Sequence, residues 1–287
     1  MTDTHSEWLV STQTEDGYSL EGVVFTPTER ARNLAVVWMH GFTGRFYELH
    51  TVTIGRRLAE RGYTFVSGNN RGHDAGAFVF NARSGESLLA GGWWEDFEAC
   101  RFDYSAWIGL ALEQGFSHVV LAGHSLGALK AVHYLGTHPD ERVAALISAS
   151  GPVRVGERMR DQSDRLALAQ RMFDEGRGAD LLPADRSGRV TSAQTLLGRA
   201  RVNMDVYGLV SDDPPLARIG CPILFVLGSN EPDIGVKADL AVLQGNARAA
   251  ARTQTLYVEG ADHVYTGRAE TVADGVGDWL DQLSATV

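Results

Sequence analysis

The chain has 287 residues, 44% hydrophobic and 22% charged, proportions that exclude disordered, collagen-like and fibrous classes. At that length one large domain can bury most of its apolar surface without a covalent staple. Against 36 Asp+Glu stand 26 Lys+Arg, a net charge of −10 with no basic cluster to offset it, so nucleic acid and anionic membrane surfaces are not expected partners.

In chain order, Leu9–Gly17 and Ser19–Thr26 are β-rich runs around an Asp16-Gly17 turn pair, which predicts an antiparallel start at a sheet edge. The rhythm then changes. Leu34–Met39, Thr64–Ser67, His118–Ala122, Val143–Ser148, Ile223–Leu227 and Thr255–Val258 are short apolar runs. Between them Phe46–Arg61, Trp94–Gln114, Leu126–Gly136 and Ala269–Leu283 have helical spacing. Continuous apolar strands alternating with helices imply a mostly parallel, eight-stranded α/β sheet covered on both faces. One interval breaks the pattern: about seventy residues between Pro152 and Pro222 lack a convincing strand and hold two amphipathic segments, Glu157–Glu175 and Thr191–Tyr207. So long a connection is rarely plain loop. Residues 153–216 are expected to be a helical cap inserted into a core of residues 1–152 and 217–287, over the carboxyl ends of the strands where such sheets bind ligands.

The densest chemical signal is Gly123-His124-Ser125-Leu126-Gly127, directly after the strand HVVLA and directly before a helix rich in small residues. A G-x-S-x-G between strand and helix is a nucleophile elbow. The chain must turn within about one residue, which strains the backbone at Ser125 and leaves no room for side chains at the two glycines. The same turn starts a helix, so the Leu126 amide is free to meet an oxyanion. A second donor is expected from the Phe42 amide in His40-Gly41-Phe42-Thr43-Gly44, the loop after the third strand. A serine hydroxyl also needs a base and an orienting acid. Gly260-Ala261-Asp262-His263 follows the last strand and offers His263 as the base. The acid is expected just after Pro222–Leu227, in Gly228-Ser229-Asn230-Glu231-Pro232-Asp233, with Glu231 favoured and Asp233 the alternative. Among the other histidines, His124 and His40 are attributed to motifs whose neighbours do the work, and His5 and His50 to the surface.

No HExxH, Walker loop or GxGxxG follows a strand, so neither cofactor nor metal is expected. Cys100 and Cys221 form no CxxC pair and read as buried thiols. The longest unbroken apolar run, Leu34–Met39, falls far short of the ~20 residues a membrane-spanning helix needs, and the amino-terminal MTDTHSEW lacks a basic-then-apolar leader. A cytoplasmic location is expected.

HGFTG, GHSLG, the late acid loop and the late histidine fall in an order that resembles the α/β-hydrolase fold superfamily across most of the chain. Asn69-Asn70-Arg71-Gly72-His73-Asp74 and Gly91-Gly92-Trp93-Trp94-Glu95-Asp96 further resemble a serine esterase-like group that includes siderophore (fusarinine) esterases. The resemblance implies a cofactor-independent serine hydrolase of carboxylesterase or thioesterase type acting on a small, partly hydrophobic acyl substrate. It also implies a scaffold role for Arg71 and His73. The same triad admits two alternatives: acyl transfer or lactone formation, with an alcohol or amine in place of water, and a slow-turnover ligand-binding protein of this fold. Glu rather than the commoner Asp at position 231 is the departure from the usual pattern. Trp93 and Trp94 fit either a pocket mouth or the core, and the sequence does not define an oligomeric state.

Overall fold

The computed structural model describes residues 4–29, 32–185, 188–202 and 204–284. In chain order the strands are β1 (His5–Gln13), β2 (Ser19–Pro27), β3 (Leu34–Met39), β4 (Thr64–Gly68), β5 (Ala77–Asn81), β6 (Glu86–Ala90), β7 (His118–His124), β8 (Val143–Ala149), β9 (Ile223–Gly228) and β10 (Thr253–Val258). The helices are α1 (Leu49–Glu60), α2 (Cys100–Glu113), α3 (Leu126–Thr137), α4 (Val155–Arg160), α5 (Ser163–Asp174), α6 (Ala193–Arg201), α7 (Lys237–Asn246) and α8 (Ala269–Ser284).

Eight strands form one sheet in the order β1-β2-β4-β3-β7-β8-β9-β10. The pairs β1–β2 and β2–β4 are antiparallel and the remaining pairs parallel. This is the α/β-hydrolase fold. Its central strands are buried on both faces, as a covered parallel sheet requires. Alternate residues therefore feed two cores. Ala35, Val37 and Met39 join Trp107 and Leu129 of α2 and α3, while Val36 and Trp38 join Ile54 and Trp279 of α1 and α8. Each of the Val, Leu, Ile and Met side chains among them contributes about 1.5–3 kcal/mol by leaving water.

Several element limits differ from the sequence reading. The first strand runs His5–Gln13 rather than Leu9–Gly17, because Thr14 to Tyr18 are consumed by a turn. There the Thr14 amide donates to the Tyr18 carbonyl (2.8 Å) and Gly17 takes φ 98°. Helix α1 starts at Leu49, not Phe46, since the Phe46 amide donates to Asn69 Oδ1 (3.0 Å) and its carbonyl accepts from Ser67 Oγ (2.9 Å). Helix α2 starts at Cys100, not Trp94; the preceding residues dock elsewhere, as described below. Both helices are followed by a left-handed glycine, Gly62 (φ 86°) and Gly115 (φ 90°). The hairpin β5–β6 and helix α7 have no counterpart in the sequence reading.

Between β8 and β9 the chain forms α4, α5 and α6. The expected helix Glu157–Glu175 is split at Asp161–Gln162, and of Thr191–Tyr207 only Ala193–Arg201 is helical. Ala169, Met172, Leu182, Ala193, Leu196 and Leu197 make a small core of their own, whereas Met204 and Tyr207 insert into the core of the sheet.

Arg71 links β1–β2 to α2. Its guanidinium donates to both oxygens of Asp16 (2.7 and 2.9 Å) and to Asp103 (2.8 and 2.9 Å), and its backbone amide donates to Asp103 Oδ2 (3.0 Å). Tyr18 lies 4.4 Å below. Asp103 is fully buried, so removing its charge strands part of the guanidinium. Asp103→Asn is expected to lower the unfolding free energy by about 3–5 kcal/mol in a denaturant titration; a loss below 1 kcal/mol would show that Asp16 suffices.

Candidate active site

The turn between β7 and α3 places Ser125 at φ 56°, ψ −124°, a conformation that costs a non-glycine residue of order 1–3 kcal/mol. Its neighbours show why the turn is so tight. A Cβ on Gly123 would lie 2.3 Å from the Gly127 carbonyl oxygen, and one on Gly127 would lie 2.5 Å from the carbonyl oxygens of Met39 and His40. The Ser125 amide is anchored to the Ala149 carbonyl (2.9 Å). Gly41 abuts the serine so closely that a Cβ there would approach Ser125 Cβ to 2.7 Å.

Ser125, His263 and Glu231 meet at the carboxyl ends of β7, β9 and β10. His263 Nε2 is 2.9 Å from Ser125 Oγ, and His263 Nδ1 is 2.8 Å from Glu231 Oε2. A carboxylate accepts, so Nδ1 carries the proton and Nε2 presents its lone pair to the hydroxyl. The Glu231 carboxylate is almost wholly buried and saturated with donors. Oε1 accepts from the Gly228 amide (2.6 Å) and from Ser150 Oγ (2.6 Å), and Ser150 Oγ in turn lies 2.7 Å from the Tyr265 hydroxyl. Asp233, by contrast, is exposed, and its backbone carbonyl accepts from Arg158 (2.5 Å).

The two amides nominated for an oxyanion have distinct supports. Leu126 opens α3 and has no helical acceptor four residues back. The Phe42 amide is oriented by His40. Asn70 donates its amide to His40 Nε2 (3.1 Å), so the proton sits on Nδ1, which donates to the Gly41 carbonyl (2.8 Å). In a planar trans peptide the Phe42 N–H must then point the opposite way.

Behind this loop lies a buried ion cluster that the sequence reading missed. Lys130 Nζ donates to Glu95 (2.6 Å) and to Asn70 Oδ1 (3.3 Å), Arg199 of α6 donates to Glu95 (2.7 Å), and the Arg199 guanidinium covers the Phe42 ring at 4.9 Å. A lysine inside the small, apolar helix GALKAV was the available signal, since a buried ammonium needs a partner. The segment around Glu95 also seats α6: Thr195 Oγ1 donates to the Glu95 carbonyl (3.0 Å), the Ser192 amide to the Trp93 carbonyl (2.7 Å), and Trp94 Nε1 to the Ala179 carbonyl (2.8 Å). Both tryptophans are half-buried there. Cys221 is half-buried rather than buried.

His50 lies in the interior, against the expectation from its sequence context. It is 5% exposed, not a surface residue, and packs on His124 (4.7 Å) and Tyr265 (6.0 Å). Burial, the largest cause, pushes His50 down to about 4 and His40 down to about 3. An unfolded histidine titrates near 6.5, so below that pH the unfolded chain gains protons that the folded chain refuses. Stability is therefore full above about pH 6.5 and falls as the pH drops toward these values, by up to about 1.4 kcal/mol per pH unit for each histidine. Denaturant titrations from pH 7 to 4.5 should show His50→Leu losing less than wild type, whereas parallel curves would assign the slope elsewhere.

Among the described residues, no group of three or more His, Cys, Asp or Glu is arranged to hold a metal ion, and no helix is long and apolar enough to cross a membrane. The chain belongs to the alpha/beta hydrolase family, whose profile matches residues 36–275. Several solved structures share its fold. Est1E from Butyrivibrio proteoclasticus is 18% identical with a TM-score of 0.69, over 96% of this chain and 99% of its own. The Pyrococcus furiosus esterase Pf2001 is 16% identical at 0.63, over 98% and 94%. The alpha/beta hydrolase GrgF from Penicillium sp. sh18 is 16% identical at 0.69, over 98% and 99%. No curated protein matches the chain.

Proposed function

We propose that this protein is a cofactor-independent serine hydrolase that cleaves an ester or thioester through an acyl-enzyme. The observation that carries the reading is the continuous chain from Ser125 Oγ to His263 (2.9 Å) to Glu231 (2.8 Å). As the acyl carbon is attacked, the Ser125 proton passes to His263 Nε2, and Glu231 stabilises the imidazolium. The amides of Phe42 and Leu126 receive the oxyanion, each worth of order 3 kcal/mol of barrier. The leaving alcohol or thiol takes the proton from His263. A water molecule, deprotonated by the same imidazole, then releases the carboxylic acid and restores Ser125.

Residues 153–216 serve as the cap. A cavity of about 410 Å³ among α4, α5 and the end of α6 is lined by Met159, Leu166 and Met204 together with Arg199, Arg201 and Asp205, and it lies apart from Ser125, Glu231 and His263, none of which lines it. Feruloyl esters belong among the substrates to assay, because Est1E has a ferulic-acid-bound structure on the same fold.

A fluorophosphonate probe tests the reading. Rapid, stoichiometric phosphonylation is expected at Ser125, located by peptide mapping. Absence of labelling, or labelling at another residue, would refute the serine mechanism.

A further inference from the structure

The residue before the serine of the G-x-S-x-G turn is not a bystander. His124 is 3% exposed, and its Nε2 lies 2.7 Å from the backbone carbonyl oxygen of His263. A carbonyl can only accept, so Nε2 bears the hydrogen and Nδ1 does not. The two imidazoles are tilted on each other with centroids 4.9 Å apart. His124 thus holds the base from two sides, gripping its main chain and covering its ring.

On the reading of Ser125, His263 and Glu231 given above, we propose that His124 is a positioning residue for the general base: its Nε2–H fixes the His263 peptide so that the ring bridges Ser125 and Glu231. The need for such a grip is visible in the loop. His263 is about one-third exposed, and it stands between Asp262, whose carboxylate caps the amides of Val264 (3.2 Å) and Thr266 (2.8 Å), and Tyr265, held at φ 56°. Those contacts fix the chain on the far side of His263. The bond from His124 joins it to β7, the strand that ends at the nucleophile, so serine and base share one rigid element.

The environment of His124 suits a permanent donor. It faces His50 at 4.7 Å, His263 at 4.9 Å and Tyr265 at 5.4 Å, with His40 also nearby. Burial above all, reinforced by His50 and His263, holds its imidazole well below the usual range. It therefore stays neutral while His263 gains and loses a proton, and it adds no charge that would oppose the imidazolium.

The test compares His124→Leu, which keeps volume but has no donor, with His124→Gln, which retains an N–H of similar reach. Both are assayed with 4-nitrophenyl butyrate and a fluorophosphonate. His124→Leu is expected to lower kcat and the labelling rate together by about 10- to 100-fold with KM changed less than threefold, and His124→Gln to regain most of both. Nitrogen-15 NMR of the wild-type protein should find His124 as the neutral Nε2–H tautomer down to pH 5, a readout independent of whether either variant folds. A folded His124→Leu within twofold of wild type, equal losses in both variants, or an Nδ1–H tautomer would each overturn the proposal. Wild type that resists phosphonylation would instead overturn the underlying serine mechanism.

Discussion

Ser125→Ala is expected to lower kcat by about five to six orders of magnitude while KM moves by no more than a few fold, the size of loss seen when a triad nucleophile is deleted. In the proposed mechanism the hydroxyl oxygen is the atom that bonds to the acyl carbon, and no neighbouring side chain would replace it, since His124 and Leu126 flank it with an imidazole engaged elsewhere and an aliphatic chain. A residue of turnover should survive, because the amides proposed to receive the oxyanion, those of Phe42 and Leu126, would still polarise a bound carbonyl. The fold should be unaffected: Ser125 is held through its amide and the adjacent glycines, not through its hydroxyl. Equal melting temperatures with loss of both turnover and phosphonylation are the expected pattern. Turnover within a few fold of wild type would remove Ser125 from the mechanism.

Glu231→Gln carries the second large effect, and Asp233→Asn is its control. The Glu231 carboxylate receives three donors, Gly228 N–H, Ser150 O–H and His263 Nδ1–H. An amide offers one acceptor oxygen in place of two, so either the histidine proton or the pair of donors on the other side loses its partner. If the NH2 group faces Nδ1, the imidazole must adopt the other tautomer, and Nε2 then carries a hydrogen where it should offer a lone pair. A fall in kcat of about 10³- to 10⁴-fold is expected. Asp233 is exposed, and its main-chain carbonyl accepts from Arg158, so Asp233→Asn should stay within threefold. Stopped-assay kinetics on the two variants decide the matter, and a larger loss in Asp233→Asn would reverse the assignment.

The legible parts of the sequence were those fixed by local chemistry. The run Leu34–Met39 is an uninterrupted apolar stretch and matches β3 residue for residue, because a strand buried on both faces favours apolar side chains at every position. The glycines around Ser125 and the alternation of strand and helix were readable for the same reason: each is a steric or periodic demand on consecutive residues. What escaped depends on partners far away in sequence. Nothing near His50 announces that His124 and Tyr265 will cover it, and nothing near Glu95 shows that it will lie between Lys130 and Arg199. The hairpin β5–β6 escaped because its outward face carries Phe78, Phe80 and Leu89 in the open, against the usual alternation of apolar inside and polar outside. Ser150, which braces Glu231, sits just past the end of β8 at φ 46° with no motif around it.

The chain order of the three central side chains has a temporal meaning. Ser125 precedes its imidazole by 138 positions and its carboxylate is also downstream, with all of α4, α5 and α6 between. Synthesis on the ribosome therefore yields a nascent polypeptide whose hydroxyl is chemically ordinary until β9 and β10 have emerged and joined the sheet beside β8. In the proposed mechanism, then, acyl chemistry would be switched on by completion of the sheet, and a ribosome-bound intermediate would have no means of attacking esters before it is folded.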